Sequence, residues 1–414
     1  MMKQAWFKDS FHERAIVLTG AFGLIAAATF VACSDDASPT EASGAAGSTS
    51  GGAGGASATG GSSAGGDVAT CANDVSTAAH AAAVVAATET FLAALSTDQQ
   101  AAVKYDKTLA NAQKWSNFPT TFVARNGVRF GDMSESAQAA AVALAALAAG
   151  PTGSTLLAEL READEFLVTD GKASSTDYGR GLYYVSVHGT PSATSAWMLQ
   201  IGGHHLAYNF MYGSQCVGAT PLFDATEPTT WTDSSGKAHA PLGAQIPAMA
   251  ALATSIAALP DAKLSGTFGD LINGPTGGGG PPGSGSGGGG DTKYPASLVY
   301  PTGTTGRGVL VSTLSADQQA LVKTAIEGWV KNVADPISSV LLASYESDEA
   351  LAQTYVGVVG SADLSTQGSY VRIDGPRVWI EDSVQGGIVY RGVVHHHTIW
   401  RDKIADYGAE YVSQ

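Results

Sequence analysis

A run of very small residues near the N-terminus decides which part of this chain can form a compact fold. From Ser43 to Gly66 the sequence contains only Gly, Ala, Ser and Thr. Such a segment has almost no apolar surface to bury, so burial cannot offset the entropy lost on folding. We therefore expect residues 33–66 to form a flexible tether and residues 67–414 to form the folded part.

The residues before the tether have the pattern of an export signal. Three basic residues precede an uncharged apolar run that ends in Phe30-Val31-Ala32-Cys33. A basic start and a short apolar core are typical of a secretory signal, and small residues before a cysteine suit lipoprotein processing. The prediction is a signal peptide over residues 1–32 and a lipid on Cys33, which would anchor an exported protein in the bacterial cell envelope, on its periplasmic or cell-surface side. Plain secretion and an uncleaved membrane anchor are the alternatives.

Charge and cysteine content exclude some classes of partner and site. The net charge is −15 and no basic stripe is present, so the chain should repel phosphate backbones, and we expect no nucleic-acid partner. If Cys33 carries a lipid, Cys71 and Cys216 remain and could form a disulfide in an oxidising compartment, provided that they approach closely enough. The sequence has no CxxC motif, so neither a redox-active dithiol nor a thiolate zinc site is expected.

Hydrophobic periodicity predicts an α+β fold, with helices packed on an antiparallel sheet in a single large domain. Helical spacing covers residues 74–114 with a break at Ser96, 134–149, 154–167, 242–259, 315–334 and 346–355. Aromatic and β-branched runs predict strands over 181–189, 195–201, 204–213, 216–223 and 387–400, and a hairpin that joins 370–373 to 377–381. The Gly-rich stretch at 274–290 is interpreted as a disordered loop within the domain, with an interdomain linker as the alternative.

One short segment occurs twice. The ten residues from Leu95 to Lys104 closely match those from Leu314 to Lys323. Two similarly capped helices would produce this match locally, because Ser at the N-cap and Gln at the third position satisfy the same free backbone groups. An ancient duplication is the alternative.

Two histidine segments are the main candidates for chemistry. Gly202-Gly203-His204-His205 lies in one strand-like segment, and His395-His396-His397 in another. On a strand, His395 and His397 would share one face, whereas His204 and His205 would point to opposite faces unless the glycines allow a bulge. We predict that His204, His205, His395 and His397 supply ligands to a transition metal, Zn, Cu or Fe. A metal-free cleft and purely structural histidines are the alternatives.

Charged residues near the second histidine segment are candidates for catalytic roles. Asp402 or Glu381 could act as a general base or orient a ligand, and Arg401 or Arg372 could bind an anionic group. The sequence has no GxSxG, Walker or dinucleotide-binding motif. Tryptophans and tyrosines near the histidines could line a cleft for a sugar or an aromatic ligand, although core packing is the alternative at strand spacing. These residues are Trp197, Trp379, Trp400, Tyr183, Tyr184 and Tyr208.

The same segments carry a family resemblance. The stretch from Tyr183 to Ser192, followed by Trp197 and by Gly203-His204-His205-Leu206, resembles a bacterial family of domains of unknown function, number thirty-five hundred of that series. The ending from Tyr370 to Glu381 and from His397 to Asp402 is similar to the family's ending. The resemblance covers residues 75–414, with the Gly-rich stretch as a departure. It implies that both histidine segments belong to one domain, and it implies no reaction.

Three functions follow as hypotheses, the third being a structural lipoprotein of the envelope, and the sequence does not decide whether the chain is an enzyme. The first is a metal-dependent enzyme of the cell envelope, hydrolytic or oxidative, that acts on an unidentified small molecule or polymer. The second is a non-catalytic binding module for carbohydrate or peptide, held to the membrane by the lipid and displayed on the tether.

Overall fold

The computed structural model describes residues 78–214, 216, 218–275 and 298–411, and the predicted signal, tether, Cys33, Cys71 and most of the Gly-rich stretch lie outside these residues. The described part has the predicted α+β fold. Its helices are α1 (Ala78–Ala94), α2 (Thr97–Ala102), α3 (Leu109–Ala112), α4 (Glu135–Thr169), α5 (Gln245–Ile256), α6 (Ala316–Val330), α7 (Asp335–Tyr345) and α8 (Asp348–Leu351). Its strands are β1 (Lys104–Tyr105), β2 (Val128–Arg129), β3 (Tyr184–His188), β4 (Trp197–Gly203), β5 (Leu206–Tyr212), β6 (Leu222–Thr226), β7 (Trp231–Thr232), β8 (Ala238–His239), β9 (Val309–Leu310), β10 (Tyr355–Val359), β11 (Tyr370–Asp374), β12 (Val378–Gly386) and β13 (Val394–Asp402).

Eleven of these strands form one sheet. Its order is β1-β3-β4-β5-β6-β13-β12-β11-β10-β9, and β2 also pairs with β3. Every pair in the sheet is antiparallel except β1 with β3, and β7 pairs separately with β8. At the centre β6 pairs with β13, where Leu222 lies opposite Trp400. The sheet therefore joins an N-terminal half and a C-terminal half through this one pair.

The two faces of the sheet are covered differently. On one face the helices pack over a large apolar core that includes Tyr208, Ile380 and Trp400. On the other face, alternate residues such as Phe223 and Ile399 contact Trp115 and Leu271, which belong to connecting segments. We call these the helix face and the loop face. His395 and His397 of β13 lie on the loop face, because they alternate with residues that face the helices.

Helix α4 is the one helix among the described residues that is long and apolar enough to cross a membrane, and half of its most apolar window is buried in the domain. Its leucines belong to the main core. A kink at Gly150, whose φ is 69°, divides it just before Pro151, so the two helices predicted on either side of this point are present. Core packing accounts for its composition.

The two halves of the sheet repeat one order of elements. The first half runs α1, β1, β2, α4 and β3 to β6, and the second runs α5, a single bridge at Lys263, β9, α6 and β10 to β13. Lys104 pairs in parallel with Val187, and Lys263 pairs in parallel with Val358. This correspondence of order and pairing indicates an internal duplication.

Two glycines occupy matching positions in the repeat. Gly127 and Gly308 directly precede β2 and β9, with φ of 103° and 106°. A Cβ on either would lie 2.1 Å from a carbonyl oxygen of the facing strand. Only glycine tolerates both the backbone conformation and the close approach.

The duplication has a different register from the short repeat seen in the sequence. The N-cap of α6 is Ser315, and its structural counterpart is Ser134 at the start of α4, whereas the sequence match joined Ser315 to Ser96 at the start of α2. Both Ser96 and Ser315 form the capping box with a glutamine. The short match is thus explained by local capping, as the first interpretation held, and the duplication lies elsewhere.

Several predicted boundaries were wrong. The helix predicted over 346–355 is confined to α8, and β10 begins at Tyr355; the strand predicted over 216–223 is mostly loop before β6. Helix α7 was not predicted, since its N-cap is Ala334 and Pro336 stands in its first turn. Proline is accommodated there because the first turn has backbone N–H groups without helical partners.

Candidate metal centre

The first histidine segment forms a turn rather than a strand. Strand β4 ends at Gly203 and β5 begins at Leu206, so His204 and His205 are the two residues that connect the hairpin. His205 has a φ of 60°, a left-handed conformation that side chains other than glycine adopt infrequently. The strand predicted from residue 204 was wrong at its start, and the opposite-face argument for the two histidines does not apply. In this turn the two imidazole rings stack on each other.

The second histidine segment lies on β13 and alternates as predicted. His396 is on the helix face, where its Nδ1 lies 2.9 Å from Oδ1 of Asp382. Although burial alone would lower it, this contact raises the pKa of His396 above its ordinary value. His395 and His397 lie on the loop face, opposite Gln385 and Ser383 of β12.

Three imidazoles converge on the loop face. His205, His395 and His397 each offer a ring nitrogen within 4.8 Å of the other two. The Nε2 atoms of His395 and His397 are 3.1 Å apart. Two nitrogens bound to one metal at about 2.0–2.1 Å in tetrahedral geometry lie about 3.3 Å apart. The three side chains are buried, with 5% exposure or less, so the ring nitrogens are shielded from bulk water.

Burial favours the neutral, metal-binding form of two of these imidazoles, those of His205 and His395. Burial, with the neighbouring histidines, lowers the pKa of His205 well below its ordinary value and that of His395 to about 3. A neutral imidazole has a free lone pair, which a metal ion can accept. The Nδ1 atom of His395 has no hydrogen-bond partner among the described residues.

His397 is oriented from behind by polar side chains. Its Nδ1 lies 2.9 Å from Nε2 of Gln385 and 3.4 Å from Oδ1 of Asp270. The same Asp270 oxygen accepts a hydrogen bond from Gln385 at 2.7 Å. Although burial acts in the opposite direction, the contact with His397 lowers the pKa of Asp270. A carboxylate on the far nitrogen of a ligating histidine is common in metal sites, because it sets the tautomer and the ring orientation.

His204 has a different environment from the three converging histidines. Its ring stacks on that of His205 with centroids 3.6 Å apart, and its Nδ1 lies 2.7 Å from Oδ1 of Asp164 on α4. Burial raises the pKa of Asp164, although His204 opposes this effect. The hydroxyl of Tyr183 donates to the carbonyl of His204, which holds the turn against the helix. His204 was predicted as a ligand, and the structure places it beside the group of three rather than in it.

The predicted catalytic residues lie farther along the same strands. Glu381 accepts hydrogen bonds from the backbone of Ile272 and Asn273 and from the side chains of Tyr370 and Trp379. Four donors thus satisfy this carboxylate. Glu381 lies on the loop face opposite Ile399, which is two residues along β13 from His397.

The other two predicted catalytic residues pair with charged partners in the interior. Asp402 lies on the helix face, where Arg377 donates to it at 2.6 Å and Tyr345 at 2.8 Å. Arg401 pairs with Asp406 at 2.7 Å. The catalytic roles of Asp402, Glu381 and Arg401 therefore stay predictions, and each side chain already stabilises the fold.

Three further predictions concern other side chains. Cys216 is buried, and its predicted partner Cys71 lies outside the described residues, so that disulfide stays a prediction. Five of the six aromatic residues considered for a ligand cleft are core residues, with Trp197, Trp379 and Trp400 fully buried, whereas Tyr184 is half-buried. Sequence reasoning missed Asp164, Asp270 and Gln385, because nothing near these residues in sequence marks them as partners of histidine.

The internal repeat does not duplicate the histidine centre, which takes His205 from the first half and His395 and His397 from the second. The backbone N–H of Ala225 donates to the carbonyl of His205, and the N–H of Lys403 donates to that of Arg377. Arg377 is therefore the counterpart of His205, but its guanidinium is paired with Asp402. Among the described residues, the three-histidine arrangement therefore occurs once and is not repeated at the position equivalent to His205.

Comparison with known proteins gives one match. A family model described as "Protein of unknown function (DUF3500)" matches residues 77–409. No curated protein and no solved structure matches significantly. The matched residues include the turn at His205, the strand that carries His395 and His397, and the orienting residue Asp270.

Proposed function

Since the chain belongs to the DUF3500 family, whose function is unknown, we propose that it is a metal-dependent hydrolase built on three histidines. The observation that carries the proposal is the convergence of the buried imidazoles of His205, His395 and His397. Three protein ligands leave a position for water or substrate, which distinguishes a catalytic site from a closed structural one.

The donor set favours zinc and hydrolysis over iron and oxidation. A non-haem iron oxygenase site uses two histidines and a carboxylate as direct ligands. Here the nearest carboxylate, Asp270, contacts the outer nitrogen of His397 and not the nitrogen that faces the other imidazoles. Three histidines are the donor set of a known class of catalytic zinc sites.

The residues of the chain have distinct roles in this proposal. A zinc ion held there would lower the pKa of a bound water to about 7 and polarise a substrate oxygen. His205, His395 and His397 provide the nitrogens, while Asp270 orients His397 and Gln385 donates to Asp270 and so holds it. His204, paired with Asp164, stacks on His205 and so positions that ring.

Metal content is the direct test. Tag-free wild-type protein should retain close to one equivalent of zinc per chain by elemental analysis, and His395→Ala or His397→Ala should retain almost none. His396→Gln is the matched control, because its side chain on the same strand faces the helices. A panel of ester, amide and phosphoester substrates should show hydrolysis that a chelator abolishes and zinc restores. Equal metal content in wild type and both alanine variants would refute the proposal.

Export and lipid anchoring are also part of the proposal. The apolar run that ends in Cys33, followed by the small-residue tether, supports a lipoprotein displayed from a membrane of the cell envelope. Metabolic labelling with a fatty-acid analogue should mark the wild-type chain and not Cys33→Ala. Equal labelling of the two chains would contradict the anchor at this residue.

The alternative is a module that binds carbohydrate or peptide without catalysis. It was motivated by aromatic residues that could line a cleft, and burial of the three tryptophans in the core removes most of that support. A binding screen in which ligand affinity is independent of His205 and His397 would favour this alternative.

A further inference from the structure

A small pocket opens where the central strands end. Its volume is about 90 Å³, and its walls include Glu227, Thr229, Thr230, Tyr390 and Val393. The pocket therefore has room for a small polar group. We call it the Glu227 pocket.

Glu227 has one carboxylate oxygen held and one available. The side chain is only 3% exposed. Its Oε1 accepts hydrogen bonds from the backbone N–H groups of Val389 and Tyr390, both at 2.7 Å. No described residue donates to Oε2. This oxygen of a largely buried carboxylate can accept a hydrogen bond from a ligand at the pocket wall.

The charges around the pocket favour a cation. No lysine or arginine lines it. The hydroxyl of Tyr390 donates to Asp170 at 2.6 Å, which places a second carboxylate behind the wall. Burial first, and then Asp170 and Glu227, raise the pKa of Tyr390, as expected for a negative local potential. A cation that donates hydrogen bonds would match both the free oxygen and this potential.

The Glu227 pocket lies at the end of β13 that carries His395. Thr226 is opposite His396 in the β6–β13 ladder, so one further residue places Glu227 level with His395. Thr229, a wall residue, donates to the carbonyl of Val394, the residue before His395. A molecule with one group in the pocket could therefore extend towards His395.

We propose that the Glu227 pocket is a substrate subsite that binds a primary ammonium group. The ammonium would donate to Oε2 of Glu227, with Thr229 and Thr230 at the rim and Val393 against the adjoining carbon. The inference rests on the proposed function, because it names the class of substrate that the histidine centre would act on: a molecule with a positively charged amine a short distance from the bond to be cleaved.

The first experiment measures binding of a minimal probe to the full-length protein in an amine-free buffer. Methylammonium chloride should bind with a Kd in the millimolar range by ligand-observed NMR, and methanol, its neutral counterpart, should bind at least about tenfold more weakly. Glu227→Gln keeps an oxygen for the two backbone donors and removes the charge, so methylammonium affinity should fall about tenfold or more. Asp170→Asn is the control for general electrostatics and should change affinity by no more than about threefold.

A second variant tests the location of the bound methylammonium without changing the charge of Glu227. Val393 is 55% exposed, so Val393→Phe should leave the fold intact while its ring fills the pocket, and methylammonium binding should be lost. Binding that is unchanged in Glu227→Gln or in Val393→Phe would overturn the inference, as would equal affinity for methylammonium and methanol. Zinc content of the same samples separates the two proposals. Retained methylammonium binding without zinc would refute the metal function alone, and retained zinc without binding would refute the subsite alone.

Discussion

Replacing Asp224 with asparagine should make this protein more stable at alkaline pH. Asp224 lies on β6 and is fully buried on the helix face, where it accepts hydrogen bonds from Thr398 and Gln245. Burial raises its pKa to about 7, with Asp382 adding to the effect while the hydrogen bond from Thr398 opposes it. Above pH 7 the folded state therefore contains a buried negative charge without a cationic partner among the groups that contact it.

The sign and size of the effect follow from proton linkage. In the unfolded chain an aspartate releases its proton near pH 3.9, whereas Asp224 in the folded state keeps it until about pH 7. Between these values the unfolded state binds fewer protons, so the free energy of unfolding falls as pH rises. A shift of about three pKa units at 1.36 kcal/mol each amounts to about 4 kcal/mol, fully lost above pH 7.

Urea unfolding at pH 5 and pH 8.5, followed by tryptophan fluorescence and far-UV circular dichroism, measures this difference. Asparagine keeps the shape and an acceptor for Thr398, and the Gln245 amide can rotate to accept from the new amide. About 1.5 kcal/mol of the loss is already present at pH 5, so Asp224→Asn should exceed wild type by about 1.5 kcal/mol at pH 5 and by about 4 kcal/mol at pH 8.5. Asp261→Asn, at an exposed position, is the control and should show no pH-dependent difference. A stability difference between Asp224→Asn and wild type that is the same at both pH values would refute the reasoning.

Three further predictions concern the metal centre, the repeat and the interior. Asp270→Asn should weaken zinc affinity about 10- to 100-fold in competition with a chelating dye, because the contact behind His397 loses its charge, and unchanged affinity would contradict the orienting role of Asp270. Gly308→Ala should lower the free energy of unfolding by about 2 kcal/mol or more, because the carbonyl oxygen of Val356 lies close to the added methyl group. Gly303→Ala, where φ is 71° and the space is open, should lower it by about 1 kcal/mol, and equal losses would count against the contact with Val356. Arg377→Met should cost about 3–5 kcal/mol because Asp402 would keep a buried charge without its guanidinium partner, and an undiminished midpoint in urea would contradict this.

Local patterns in the sequence predicted much of the fold, because the forces behind them act over a few residues. Ser96 and Ser315 cap helices with the glutamine that the capping box requires. The Asp374-Gly375-Pro376 segment predicted the hairpin between β11 and β12. By contrast, β10 follows a short helix and was missed, since its edges are set by pairing with β9 and β11 and not by its own composition.

The internal duplication shows where sequence comparison within one chain fails. The strongest local match joined α2 to α6, because both begin with the same capping box. The structural counterparts are α4 and α6, which share few residues beyond Ser134 and Ser315 at their caps. Packing can preserve the order and register of strands while the side chains between them change, so the duplication is visible in the ladders and faint in the sequence.

By itself the sequence determined that His395 and His397 share a face, because a strand has a period of two residues. It also determined that both histidine segments were candidates for one site. Only the tertiary structure decided that His205, and not His204, joins them, since the choice depends on the left-handed backbone of a two-residue turn. It likewise brought Asp270 behind His397 across a separation of 127 residues, and Glu227 beside His395, because contacts between distant segments arise from the pairing and packing of the whole sheet.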